Sequence, residues 1–180
     1  MQAMFVEDTP WHVSWMSGIL PAVVDIASRH AERTIFTRFV PPTSPDEAIG
    51  LWQEYYQKWD AMTLRHMDGR LIQVVAQLAR YVPPARTFDK ATYSPWIDSR
   101  LHRILQAEGI RSVVITGGET DVCVLAAVIG AIDLGYAVKL LSDAVCSGAD
   151  ETHDATLKLL ADRFSVQVEV LTTEEFLRRQ

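Results

Sequence analysis

Only two cysteines, Cys123 and Cys146, occur among the 180 residues, and they are not spaced as CxxC. That excludes a disulfide framework, so any importance of either cysteine lies in its own reactivity. Long apolar runs are missing too. The longest, such as Ile19–Val24 and Ser112–Thr116, fall far short of the roughly 20 residues that cross a bilayer, and no signal-peptide pattern opens the sequence. Basic clusters are absent, and 17 Lys and Arg against 23 Asp and Glu give a net charge of −6. Nothing there could follow a phosphate backbone. Neither GxGxxG nor GxxxxGK[ST] appears, which argues against a nucleotide or other phosphate-bearing cofactor. The expectation is a soluble, cytoplasmic protein with no nucleic-acid or membrane partner and no cofactor.

What is present is a hydrophobic fraction of 48%, enough for one well-buried core. The length suits a single domain over residues 1–180, with no repeat or linker to divide it. Five short β-branched or apolar runs read as strands: Thr34–Phe39, Ala85–Phe88, Ser112–Thr116, Ala137–Ser142 and Val166–Leu171. Between them, Leu20–Ala31, Gly69–Tyr81, Pro95–Glu108, Thr120–Leu134 and Glu151–Arg163 repeat apolar residues at helical spacing. The alternation predicts an α/β fold of three layers, a Rossmann-like parallel sheet with helices on both faces. Nothing before Leu20 reads as a strand, so the sheet starts one element late.

Two segments carry possible chemistry. In SVVITGGETDVC, Ser112–Cys123, a buried strand enters a Gly-Gly turn and then a helix near Cys123. The free N–H groups and positive dipole end of such a helix favour a thiolate and a neighbouring oxyanion. The same pattern also fits a small buried thiol in a tight turn. Lys90, in Phe88–Trp96 (FDKATYSPW), falls at the carboxyl end of a short strand, the edge where open α/β sheets bind ligands. A lysine there could hold a thiolate or carboxylate ionised, or be an ordinary surface charge. A third feature, Trp52, Tyr55, Tyr56 and Trp59 at i, i+3, i+4 and i+7, puts four rings on one helix face that must be covered. Packing on the sheet, a second subunit or a lid over a small-molecule pocket would each cover it.

Together TGGETDVCV, Asp133–Tyr136 (DLGY), LSDAVCSG with Thr152-His153, and DKATYS resemble the isochorismatase-like cysteine hydrolase family along nearly the whole sequence. The resemblance implies a six-stranded parallel sheet and an Asp–Lys–Cys triad that hydrolyses a C–N bond through a thioester, with Lys90 and Cys123 as two members. It also implies a cis bond between Gly118 and Glu119 and an oxyanion hole formed by the N–H groups of Glu119 and Cys123. Phe5, Tyr93 and Trp96 are the expected pocket walls, with Trp59 a further candidate.

The departure from the family lies at the start. In its D-x-Q-x-x-F pattern, Gln2 and Phe5 match, while the aspartate would fall directly before Met1 and the first strand is missing with it. Asp8 is a poor substitute. The expectation is that Met1 is internal to a longer natural chain beginning roughly ten to twenty residues earlier, a strand plus its lead-in. His12, His30, His66, His102 and His153 are scattered, without the DxH pair of metal-binding relatives, so no metal and no nicotinamidase activity are expected. The expected activity is hydrolysis of a small amide, carbamoyl or ureido compound. The alternative is a catalytically inactive interaction subunit that lacks the triad aspartate, and the aromatic stripe favours a homo-oligomer in either case.

Overall fold

The computed structural model describes residues 1–179 as helices packed on parallel strands. Strands β1 (Ile35–Phe39), β2 (Arg86–Lys90), β3 (Ser112–Gly118), β4 (Ala137–Cys146) and β5 (Val168–Leu171) carry the apolar runs expected of them. The helices are α1 (Ala3–Val6), α2 (Met16–Arg29), α3 (Leu51–Lys58), α4 (Ala76–Ala79), α5 (Arg100–Ala107), α6 (Leu125–Asp133), α7 (Asp150–Arg163) and α8 (Thr173–Arg178). No helix among the described residues is long and apolar enough to cross a membrane.

All strand pairings within the sheets are parallel, yet the sheet is in two pieces. β1 pairs with β2, and β3, β4 and β5 pair in that order. One apolar cluster joins Met16, Ile19, Val23 and Ala27 of α2 to Leu141 and Ala144 of β4 and Phe176 of α8. The other joins Leu101 and Leu105 of α5, Val128 of α6 and Leu160 of α7 to Val138 and Leu140 of β4. Successive strand side chains point to opposite faces, so β4 feeds both clusters and gives the three layers.

Three expectations change on inspection. Gly69–Tyr81 is not one helix. It is a 3₁₀ turn at Gly69–Ile72 and the single turn of α4, because the backbone between them bonds to Met1, Gln2 and Ala3, and its apolar residues divide between two clusters, Leu71 and Ile72 in one and Val74, Val75 and Leu78 in the other. β4 does not stop at Ser142. It runs through Asp143–Val145 to Cys146, which pairs with Gly118 after a register shift between Ile115 and Gly117. The aromatic stripe is covered within the chain: Tyr56 is 2% exposed, and the rings of Trp52, Tyr55 and Tyr56 meet those of Trp11, Phe39 and Tyr93. It therefore gives no reason for assembly.

Residues 1–15, read as loop, are anchored by a buried side chain. The Gln2 amide accepts from the Phe39 N–H at 2.6 Å and donates to the Phe39 carbonyl at 2.9 Å and to that of Ile72 at 2.8 Å. A side chain here does at the end of β1 what a neighbouring strand would do with backbone.

Candidate active site

Strand ends β2 and β3 bring the two expected catalytic residues together. Lys90 closes β2 opposite Phe39, and its Nζ donates to the carbonyls of Thr92 and Tyr93, each at 2.8 Å. Those two bonds hold the ammonium 3.6 Å from the Cys123 Sγ and 5.2 Å from the centre of the Phe39 ring. Asp89, one residue earlier, is held by the Arg38 guanidinium at 2.6 and 2.8 Å.

Cys123 sits in a single π-helical turn, Thr120–Val124, that follows β3 and leads into α6. The peptide bond between Gly118 and Glu119 is cis. The turn is pinned from the far side: Asp121 accepts from the Ser147 hydroxyl at 2.6 Å and from that of Thr152, and the buried Thr120 hydroxyl meets His153 Nδ1 at 2.9 Å. Burial alone would raise the Asp121 carboxyl, but the two hydroxyl donors outweigh it and leave its pKa lowered. These pinning residues carried no assigned role in the sequence, although LSDAVCSG and Thr152-His153 marked the segment.

A strut fixes the distance between the lysine loop and the cysteine helix. Trp96 Nε1 donates to the Ala127 carbonyl at 2.8 Å, its ring stacks on Tyr136 at 5.6 Å, and a Cβ on Gly130 would lie 2.4 Å from the indole. Only glycine admits that contact.

The electrostatics differ from what a helix N-terminus alone suggests. Burial pushes the Cys123 thiol up, with the charge and hydrogen bond of Lys90 opposing and Glu119 adding to the rise. The net direction is upward, so burial outweighs the ammonium. Lys90 in turn is lowered by burial, partly offset by Cys123. Glu119 is raised by burial despite accepting from the Gly148 N–H at 3.1 Å. Among the described residues, no carboxylate is hydrogen-bonded to Lys90 Nζ or Cys123 Sγ.

Lys90, Tyr93, Trp96 and Cys123 share one cavity of about 540 Å³. Tyr93 lies against Trp52 at 4.9 Å and is stacked on Phe39 at 6.4 Å, and a charge on Cys123 would raise both Tyr93 and Tyr55. Phe5 does not line this cavity; it stacks on Trp11 at 6.3 Å. Trp59 lies just past the end of α3, also against Trp11, at 6.4 Å. Helical spacing grouped Trp52 with Trp59, and the early end of α3 separates them. Asp8 is exposed at the surface.

The histidines stay apart. His66 pairs with Asp60 at 3.2 Å and His102 meets the Tyr136 hydroxyl at 2.8 Å. Among the described residues, no three His, Cys, Asp or Glu side chains gather as a metal site.

A family profile described as the isochorismatase domain matches residues 1–175. Nicotinamidase 3 of Arabidopsis thaliana is 29% identical over 172 residues, covering 93% of this chain and 84% of that protein. The fold is shared with a cysteine hydrolase from Pseudomonas syringae pv. phaseolicola, at TM-score 0.86 and 24% identity, covering 99% of this chain and 88% of that one. It is shared also with N-carbamoylsarcosine amidase from Thermoplasma acidophilum, at TM-score 0.75 and 16% identity over 96% and 92% of the two chains. With a family match along nearly its full length and a lysine-flanked cysteine at the carboxyl edge of its parallel strands, the chain belongs to the isochorismatase family of hydrolytic enzymes.

Proposed function

We propose that the protein cleaves the C–N bond of a small amide, carbamoyl or ureido compound through a thioester on Cys123. The observation that carries this reading is the 3.6 Å approach of Lys90 Nζ to Cys123 Sγ inside a cavity large enough for a small substrate. A thiol raised by burial is a poor nucleophile until its proton is removed. In this reading a carboxylate base takes that proton, the role that the resemblance gives to the family's triad aspartate.

The sulfur then bonds to the substrate carbonyl carbon, and the N–H groups of Glu119 and Cys123 receive the oxyanion. The acid returns its proton to the departing nitrogen as the C–N bond breaks. Water, deprotonated by the same carboxylate, adds to the thioester and releases the carboxylic or carbamic acid with the thiol restored. Lys90 favours the thiolate throughout. Tyr93 and Trp96, which line the cavity, offer the substrate aromatic faces, and no step calls for a metal or an organic cofactor. The names of the amidase and nicotinamidase relatives support an amide-type substrate.

One observation favours a second reading, the inactive interaction subunit: no carboxylate among the described residues is hydrogen-bonded to Cys123 Sγ or Lys90 Nζ. A panel of small amides and ureides, read as ammonia release and as an acyl mass increment on Cys123, separates the two. Turnover with a Cys123 adduct supports the enzyme. Absence of both supports the subunit.

A further inference from the structure

The turn that carries Cys123 is wound against the ordinary helical pattern. In an α-helix each N–H goes to the carbonyl four residues back, which would give the Cys123 N–H to Glu119. Here the Glu119 carbonyl accepts instead from Val122 at 3.1 Å and Val124 at 2.9 Å, the two neighbours of Cys123, and not from Cys123 itself. Leu125 N–H likewise reaches five residues back, to the Thr120 carbonyl. The turn holds one residue more than an α-helix would, and the Cys123 N–H loses the partner that a regular helix supplies.

What holds the turn in that form lies outside it. Three consecutive side chains are each tied to the segment that follows β4. Glu119 accepts from the Gly148 N–H at 3.1 Å, the Thr120 hydroxyl meets His153 Nδ1 at 2.9 Å, and Asp121 accepts from the Ser147 hydroxyl at 2.6 Å and from that of Thr152. Ser147 directly follows Cys146, the partner of Gly118 across the sheet, so the receiving segment starts level with the turn. Asp121 has two of these bonds. The buried Ser147 oxygen accepts from the Ala149 N–H at 3.4 Å, which leaves its proton to the carboxylate.

Clasp and winding need each other. Val128 and Ala131 of α6 are fully buried, so α6 is not free to rotate. Relaxing the turn to an α-helix would swing residues 119–121 about the helix axis by about 100°, one residue's turn, and carry Asp121 away from Ser147 and Thr152. Releasing Asp121 would, conversely, let the turn relax and return the Cys123 N–H to the Glu119 carbonyl.

We propose that Asp121 is a positioning residue: clasped by Ser147 and Thr152, it keeps the turn π-wound, so that the Cys123 N–H stays free to meet the oxyanion of the substrate. The inference rests on Cys123 acting as the nucleophile of a hydrolase, since attack on a carbonyl develops that charge. Asp121 does not line the substrate cavity, and its effect passes through the backbone.

Two reagents applied to the full chain separate this role from a merely structural one. Iodoacetamide alkylates a thiolate by displacing iodide and develops no oxyanion. p-Nitrophenyl acetate acetylates it through one, the sulfur bonding to the acetyl carbon and p-nitrophenolate leaving. Asp121→Ala should slow acetylation of Cys123 by about 50-fold or more, near the loss expected on removing an oxyanion donor, and leave its alkylation within about threefold. Ser147→Ala and Thr152→Val, each keeping one of the two bonds, should slow acetylation by about fivefold. Asp121→Asn, which can accept from Ser147 and donate to Thr152, should recover most of the loss. An acetyl increment absent from Cys123 in the parent protein would overturn the hydrolase reading and this inference with it. Acetylation of Cys123 at the parent rate in Asp121→Ala, or equal slowing of acetylation and alkylation, would overturn the role of Asp121 and leave the hydrolase reading standing. If Asp121→Ala does not fold, the ratio of the two rates in Ser147→Ala and Thr152→Val decides in the same way.

Discussion

Cys123 and Cys146 sit close together, one five residues past Gly118 and the other paired with Gly118 across the sheet. Burial raises both thiols, that of Cys146 to about 12. What separates them is the company each keeps. Cys123 has the Lys90 ammonium and shares a cavity with the rings of Tyr93 and Trp96, whereas the Cys146 Sγ faces the Met16 thioether at 3.9 Å inside the apolar cluster. Burial by itself makes a thiol inert; burial beside a held cation makes one that a base can activate.

The widest difference should appear on removing each sulfur. Cys123→Ala should lower ammonia release by about 10⁴-fold or more, with folding intact. Cys146→Ala should leave turnover within about threefold and cost on the order of 1 kcal/mol in urea unfolding. Comparable losses from the two would dissolve the distinction.

A smaller effect is expected from the cation. Lys90→Met should raise the Cys123 thiol further and slow its alkylation by iodoacetamide at pH 8 by about tenfold, one pKa unit or more. Cys146 should remain unlabelled in both proteins, and in the parent Cys123 should label first. Tyr93→Ala, which removes a ring from the cavity wall, should then raise KM by about fivefold with little change in kcat, while Trp59→Ala should disturb stability and leave KM alone. A KM change from Trp59 alone would return the pocket to the far end of α3.

The mildest test is pH. The folded thiol of Cys146 holds its proton from its ordinary 9.0 up to about 12, so the folded state binds more protons there and stability should fall across that window. The Met1 amine has the opposite sign. It is lowered to about 6 from 8.0, the unfolded chain binds more protons in between, and stability should rise from pH 6 to pH 8. Urea midpoints measured across both windows check the signs, and acetylating Met1 should flatten the lower one.

The strands, and the loops carrying Lys90 and Cys123, were legible because short β-branched runs and glycine turns are local patterns. Lys90 and Cys123 meet because β2 and β3 end at the same edge, which chain alternation already implied. The upward shift of Cys123 was not legible, since the number of atoms around a thiol is set by tertiary packing. Trp52 and Trp59 were indistinguishable by period, and only the end of α3 at Lys58 tells them apart. Helix α8 was missed although Thr172 and Glu175 spell its capping box. The Gln2 clasp was out of reach, because it joins residues 37 and 70 positions apart.

The contact of Trp96 with Gly130 bears on how this sequence can drift. Any side chain at 130 would collide with the indole at 2.4 Å, and a smaller residue at 96 would give up the bond to Ala127 that ties the lysine loop to the cysteine helix. Neither position can change alone without loosening the Lys90 to Cys123 spacing. Among functional descendants, the two sites should therefore be inherited as a unit, with a replacement at one tolerated only on a background already altered at the other.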